Sequence, residues 1–334
     1  MGVNKKNQIV NKIQSARPEE FAIEEIDFGR GPYCMSFGFD LERYVRSIGS
    51  VGLINSPTVI QAGTGKVTPV TGYRRLLALR VLKQPSVFCR DLSSFKFSTL
   101  ELFLLNLEEN LATRRFNDVE KGMILNRLIK FFPVDTIVDV YMPLLGLASR
   151  KSEFVFYTNL ENELNDQIKG LLVNKSISIQ TARMLMSIEK ISRECLGKLM
   201  ADLKLNINKQ RQLLEYLVDL SKIKDMNICN ILDEKETRDL IASRNLNNPQ
   251  KADALFRLFK SIRFPLLDSA EKKFSKRISR LNLPKTVRIN HSPFFESSNY
   301  AMEILFRDGS ELVKRIEELK DTKGLADITD PWLE

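Results

Sequence analysis

The chain has 334 residues, 43% of them hydrophobic, which is enough for sizeable cores and too long for one ordinary small domain. Its 51 Lys and Arg against 42 Asp and Glu leave a formal charge of +9, a basic balance that permits a nucleic-acid surface. Four well-separated cysteines without a CxxC pair and a single histidine, His291, argue against a Cys/His zinc site. No apolar run is long enough to span a bilayer, so the sequence reads as cytoplasmic.

In chain order, residues 1–20 are polar, contain Pro18 and lack periodicity, which predicts a mobile arm made basic by Lys5, Lys6, Lys12 and Arg17. Phe21–Phe28 has the composition of a strand. From Asp40, Leu41, Tyr44, Val45 and Ile48 fall at helical spacing, and Gly49 and Gly52 end the pattern. Two β-rich runs around residues 62–65 then read as a hairpin. Its second strand turns at Gly72 into a helix that opens with Arg74 and Arg75. A glycine and cationic side chains at a helix start suit an anion, because the first-turn amides are unpaired and the dipole is positive there. An exposed helix start with two surface arginines is the alternative reading of the same stretch.

Ser86–Leu92 reads as a strand and Ser98–Asn110 as a helix with Leu100, Phe103, Leu104 and Leu107 on one face. Glu108, Glu109 and Asn110 close that helix, and carboxylates at a carboxyl end oppose the dipole unless an outside cation compensates them. Asn117 and Glu120 have capping-box spacing, ahead of an apolar face made by Ile124, Leu125, Leu128 and Ile129. Residues 134–189 read as several short helices. Among them, a helix, a tight turn near Gly146 and a second helix opening with Ser149, Arg150, Lys151 and Ser152 have the form of a helix-turn-helix. Residues 190–270 are helical in pattern. A basic run from Glu271 to Arg288 follows, then a strand, a strand and an amphipathic helix. A unit that small cannot bury both faces alone, so it is expected to dock on a neighbour or dimerise. The acidic tail is expected to be loose.

Three separated segments fall in one order. GYRRLLA (Gly72–Ala78) is similar to a GERR box, EENLATRRFNDVE (Glu108–Glu120) to an ENLQR box, and SIGSVGLINSPTVI (Ser47–Ile60) to the helix and strand that precede them. In this combination the chain resembles the ParB family of chromosome and plasmid partition proteins. ISIQTARMLMSI (Ile177–Ile188) is similar to the helix closing that family's helix-turn-helix domain, and residues 283–320 resemble, more loosely, its strand-strand-helix dimerisation domain.

The resemblance implies an α+β amino-terminal ParB/sulfiredoxin-like nucleotide-binding domain (21–130), an all-α helix-turn-helix domain (131–190), a helical connector (191–282) and a small ββα unit (283–320) before the tail (321–334). It implies CTP with magnesium as cofactors, a nucleotide-dependent clamp on double-stranded DNA, a homodimer, and a nucleoid-associated cytoplasmic protein. It further implies that the arm stimulates a Walker-type partition ATPase. Carried over by position, Gly72, Tyr73, Arg74 and Arg75 would hold the triphosphate, Glu109 and Asn110 the metal, and Arg114 a further phosphate. Lys175 and Thr181 would join Ser149, Arg150, Lys151 and Ser152 on DNA. Tyr73 stands where the family has Glu, Ala112 and Thr113 replace Gln and Arg, and no QPR-like box lies near Gly31–Ser36. These departures keep two alternatives open beside a CTP hydrolase of ParB type. One is a DNA-binding regulator with a vestigial pocket. The other is a serine-kinase-like phosphotransferase using Glu108, Glu109 or Glu120 as base.

Overall fold

The computed structural model describes residues 12–61, 65–297 and 299–329. The chain forms two compact units that meet in sequence at Ile207 and Asn208. The predicted boundary at residue 130 therefore lies inside the first unit, and the predicted connector is divided between the two.

In the first unit a four-stranded mixed sheet has the order β1-β4-β2-β3, from β1 (Pro18–Ala22), β2 (Thr58–Gln61), β3 (Val67–Thr71) and β4 (Ser86–Asp91). β1 runs antiparallel to β4 with Phe21 opposite Val87. β2 runs antiparallel to β3 and parallel to β4. Pro69 is tolerated because β3 is an edge strand, where a missing N–H donor costs no central ladder bond. α1 (Leu41–Val51) and α2 (Tyr73–Val81) belong to this layer, and Phe21, Ile23, Val59, Leu76, Leu79 and Val87 form its core, with Ile48 of α1 packed against it. Burying one such side chain contributes about 1.5–3 kcal/mol.

Several expectations are corrected here. Residues 1–11 of the predicted arm lie outside the described residues, but 12–15 are helical and Pro18 already pairs in β1. The strand expected over 21–28 ends at Ala22, where a single 3-10 turn, Ile23–Glu25, takes over.

α3 (Thr99–Thr113) carries a capping box of Ser98 and Glu101, and α4 (Asp118–Leu128) the expected box of Asn117 and Glu120. α3 buries Leu102, Phe103, Asn106 and Leu107. Its inner face is thus rotated from the predicted one, and Leu100 and Leu104 are only partly buried. The reason is Asn106, a polar residue taken inside because its amide finds a backbone carbonyl, as described below. On α4, Ile129 is 47% exposed and the buried set instead includes Val119, Glu120 and Met123.

The helical stretch 134–144 contains a π turn, Ile137–Tyr141, and ends at Gly146, whose φ is +68°. α5 (Lys151–Glu163), α6 (Asp166–Val173), α7 (Ile179–Leu185) and α8 (Lys190–Asp202) complete the unit. α4 crosses α5 at Gly122, where an added Cβ would lie 2.5 Å from the Tyr157 carbonyl oxygen. Tyr157 Oη donates to Asp118 Oδ1 at 3.0 Å and Asn126 Nδ2 to the Thr158 carbonyl at 3.0 Å, fixing the crossing.

The second unit comprises α9 (Ile207–Lys224), α10 (Ile228–Asp233), α11 (Lys235–Ala242), α12 (Asn248–Arg263) and α13 (Pro265–Arg280), then β5 (Val287–His291), β6 (Tyr300–Ile304) and α14 (Gly309–Lys320). One face of the β5-β6 hairpin docks on α13. Phe274 stacks on Tyr300 with centroids 5.4 Å apart, and His291 stacks on Phe295 at 3.8 Å. Met302, Leu305 and Phe306 on or just after β6, and Val313 and Ile316 on α14, stay exposed. The tail, expected to be loose, is tied at Thr329, which accepts from Arg277 Nη1 at 2.7 Å and from Tyr300 Oη at 3.0 Å. Residues 330–334 lie outside the described residues.

Replacing Gly122 by valine forces α4 off the Tyr157 backbone, and we expect a loss of about 1–3 kcal/mol, read as a lower urea midpoint.

Candidate functional site

The chain from β3 to α2 turns at Gly72, whose φ is +78° and whose absent Cβ would lie 2.9 Å from Pro57 Cβ. Only glycine meets both demands. No side chain caps the amino end of α2. Arg74 and Arg75 leave from this first turn and diverge. Arg75 Nη1 donates to the Asn55 carbonyl at 2.8 Å and Nη2 to Glu109 Oε1 at 3.0 Å. Arg74 Nε donates to Ser36 Oγ at 3.0 Å and Nη2 to Glu120 Oε1 at 2.5 Å, while its guanidinium lies over the Phe39 ring. Tyr73 Oη donates to the Phe28 carbonyl at 2.9 Å, and burial raises its pKa.

Glu120 is 1% exposed and is the hub. Its second oxygen accepts from Arg114 Nη1 at 2.7 Å and from the Asn117 amide at 3.1 Å, and Oε1 also accepts from the Phe37 amide at 3.2 Å. Along α3 a polar ladder at i, i+4 spacing faces the same space. Asn106 Nδ2 donates to the Tyr33 carbonyl at 2.5 Å, Asn110 Nδ2 to Asn106 Oδ1 at 2.6 Å, and Arg114 Nε to Asn110 Oδ1 at 2.5 Å. Arg114 Nη2 reaches the Met35 carbonyl at 2.8 Å. Burial pushes the Arg114 guanidinium below its ordinary value. Glu120 opposes the shift and Arg74 adds to it.

These residues surround one cleft of about 270 Å³. Gly72, Tyr73, Arg74, Arg75, Glu109, Asn110 and Arg114, drawn from two distant sequence boxes, all line it. Ser36, Tyr44, Asn55, Asn106 and Thr113 line it too, although the sequence did not mark them as nucleotide-site candidates. Asn106 was legible, one turn before Asn110 on the same helix face. Ser36 and Asn55 sit outside helices and strands and carry no periodic signal.

Three guanidinium groups against two carboxylates, beside uncapped helix amides, suit a polyanion. For a divalent cation, the described residues contain no cluster of three or more His, Cys, Asp or Glu. Glu109 and Asn110 would supplement phosphate oxygens around magnesium only with the Asn110 oxygen released from Arg114 and with the Glu109 oxygen that does not hold Arg75.

The predicted DNA-contacting residues divide. Ser149, Arg150, Lys151 and Ser152 are exposed around the start of α5. Lys151 Nζ lies 2.6 Å from Asp135 Oδ1, and this pairing raises its pKa. Both groups are solvent-exposed, so the contact contributes little. Lys175 is exposed in the turn after α6, with φ +63°. Thr181 is a correction: it is 2% exposed, and its hydroxyl lies 2.8 Å from that of Ser178, the residue capping α7. It helps to close the cap and does not face solvent. A contact that sequence reading missed joins α5 to α7. Arg183 Nη2 donates to both Glu153 oxygens, at 2.9 and 3.0 Å, and its guanidinium lies over Phe156.

Converting Glu120 to glutamine leaves Arg74 and Arg114 without a counter-charge in a buried site. We expect a loss of about 3–5 kcal/mol in denaturant unfolding, against about 0–1 kcal/mol for Asp135→Asn at the exposed pair.

No protein-family model and no curated protein matches the chain. Two solved structures from Caulobacter crescentus are similar to it, both of the C-terminally truncated chromosome-partitioning protein ParB. The one complexed with CTP-gamma-S is 20% identical, with a TM-score of 0.26, over 55% of this chain and 98% of that one. The one complexed to the centromeric parS site is 19% identical, with a TM-score of 0.30, over 59% and 98%.

Proposed function

We propose that the chain is a ParB-like DNA-binding partition protein whose arginine cleft takes a nucleoside triphosphate, CTP foremost, with magnesium. The observation that carries this reading is the convergence of Arg74, Arg75 and Arg114 with the Gly72 turn on one cleft. Arg75 and the α2 amides would bind phosphate, Glu109 and Asn110 would hold the metal, and Glu120 would orient Arg74 and Arg114. The bound nucleotide would supply the negative charge that lets two such units associate around DNA. Residues 21–130 would form the switch, 131–190 the DNA reader through Arg150 and Lys151, and 283–320 the homodimer contact. The exposed Met302, Leu305, Phe306, Val313 and Ile316 support that last assignment.

One observation favours a silent pocket in a DNA-binding regulator: each of the three arginines already has a carboxylate partner. The same pairing disfavours phosphoryl transfer. Glu109 and Glu120 are both engaged by arginine, and Glu108 does not line the cleft.

Titration calorimetry with CTP, ATP and GTP and magnesium, with and without duplex DNA, separates these readings. We expect CTP to bind, more tightly with DNA, and Arg75→Ala to abolish binding without altering the circular dichroism spectrum. Failure of every nucleotide to bind leaves the silent pocket, and ATP binding indifferent to DNA restores the phosphotransferase. For DNA, the Arg150→Ala, Lys151→Ala double variant should lower the slope of log affinity against log salt by about 2. An unchanged slope removes α5 from the interface.

A further inference from the structure

We infer that a second cleft in the first unit binds a small phosphate- or carboxylate-bearing polyanion, independently of the arginine cleft. Its walls are Arg30, Gly31 and Pro32, the start of α3 at Thr99, Arg127 at the end of α4 and Lys130 just after it, and the end of α5 at Glu161 and Asn162, around a cavity of about 650 Å³. It shares no lining residue with the arginine cleft.

The charge arithmetic distinguishes this cleft from an ordinary polar hollow. Arg127 is tied down entirely by neutral acceptors: Nε donates to the Pro32 carbonyl at 3.0 Å, Nη1 to the Met123 carbonyl at 3.0 Å and Nη2 to the Gly31 carbonyl at 3.3 Å. Those bonds orient the guanidinium without cancelling its charge, and two of its five N–H donors remain. No carboxylate among the described residues pairs with Arg127 or Lys130. Arg30 adds a third cation, itself held by Asp166 at 2.9 Å. The one lining carboxylate, Glu161, is occupied by Lys169 at 2.9 Å. Burial lowers the Arg127 pKa; Cys34 and Glu161 oppose that shift in part and the Arg30 charge adds to it, and a bound anion would relieve what remains. Phe103 and Phe131 supply an apolar wall, so an organic anion fits better than a bare ion.

Geometry points to a small molecule rather than the duplex. Glu161 and Asn162 lie on the last turns of the 13-residue α5, whereas Arg150 and Lys151 are at its start, a separation of about 15–20 Å along the axis. The cleft's concave, phenylalanine-walled form suits a small organic anion better than the convex face of a duplex.

The test is calorimetry with inorganic pyrophosphate, without magnesium, on full-length Arg75→Ala protein, in which the arginine cleft is weakened. We expect one pyrophosphate per chain to bind. Adding Lys130→Glu, at an exposed position, should weaken that binding about tenfold or more. Equal binding in the Arg75→Ala protein with and without Lys130→Glu overturns the inference. So does loss of all pyrophosphate binding on Arg75→Ala alone, and so does displacement of pyrophosphate by a duplex oligonucleotide, which would assign the cleft to DNA.

Discussion

The first unit depends on one buried carboxylate. Glu120 is almost fully removed from water, and an isolated charge there would cost several kcal/mol. It is tolerated because two arginines and two backbone amides converge on it. Those donors come from α2, from the end of α3, from the segment at Phe37 and from the start of α4, so one acid fixes four pieces of chain relative to each other. The exposed pairs, Arg30 with Asp166 and Lys151 with Asp135, lack this leverage because water competes for both partners.

The ladder of Asn106, Asn110 and Arg114 extends the same constraint along α3 and holds the Tyr33–Met35 backbone against the helix. Its consequence is that the cleft is pre-formed, with its three arginines partly neutralised by two carboxylates. A polyanion entering it competes with Glu109 for Arg75 and with Glu120 for Arg74, whereas the α2 amides carry no side-chain cap and need not be freed. A polyanion bound there would compete with the resident carboxylates, so its binding would be coupled to the arrangement of the surrounding segments.

The second unit is held differently. An aromatic cluster of Phe274, His291, Phe295 and Tyr300 seats the hairpin on α13, and an apolar strip on β6 and α14 remains in solvent. Two strands and one short helix are too small to bury both of their faces alone, and docking on α13 covers one of them, as the size of the unit led one to expect.

Local patterns in the sequence determined much of this. The Asn117–Glu120 capping box, the Gly72 turn and the α1 face of Leu41, Tyr44, Val45 and Ile48 each rest on residues within a few positions of one another, and each formed as its spacing predicts. The seven nucleotide-site candidates were legible because they cluster in two short boxes. Tertiary structure alone decided the rest. Glu120 reads as a cap in sequence and becomes a hub only when Arg74, 46 positions away, folds onto it. Asn106 rotates the inner face of α3 because Tyr33 offers it a carbonyl from another segment. Thr181 turns inward to complete a cap, and Arg127 gathers Gly31 and Pro32 into a second cleft that no periodicity marks. Short-range propensity is written in neighbouring residues, whereas desolvation and charge pairing depend on which distant groups arrive at the same point.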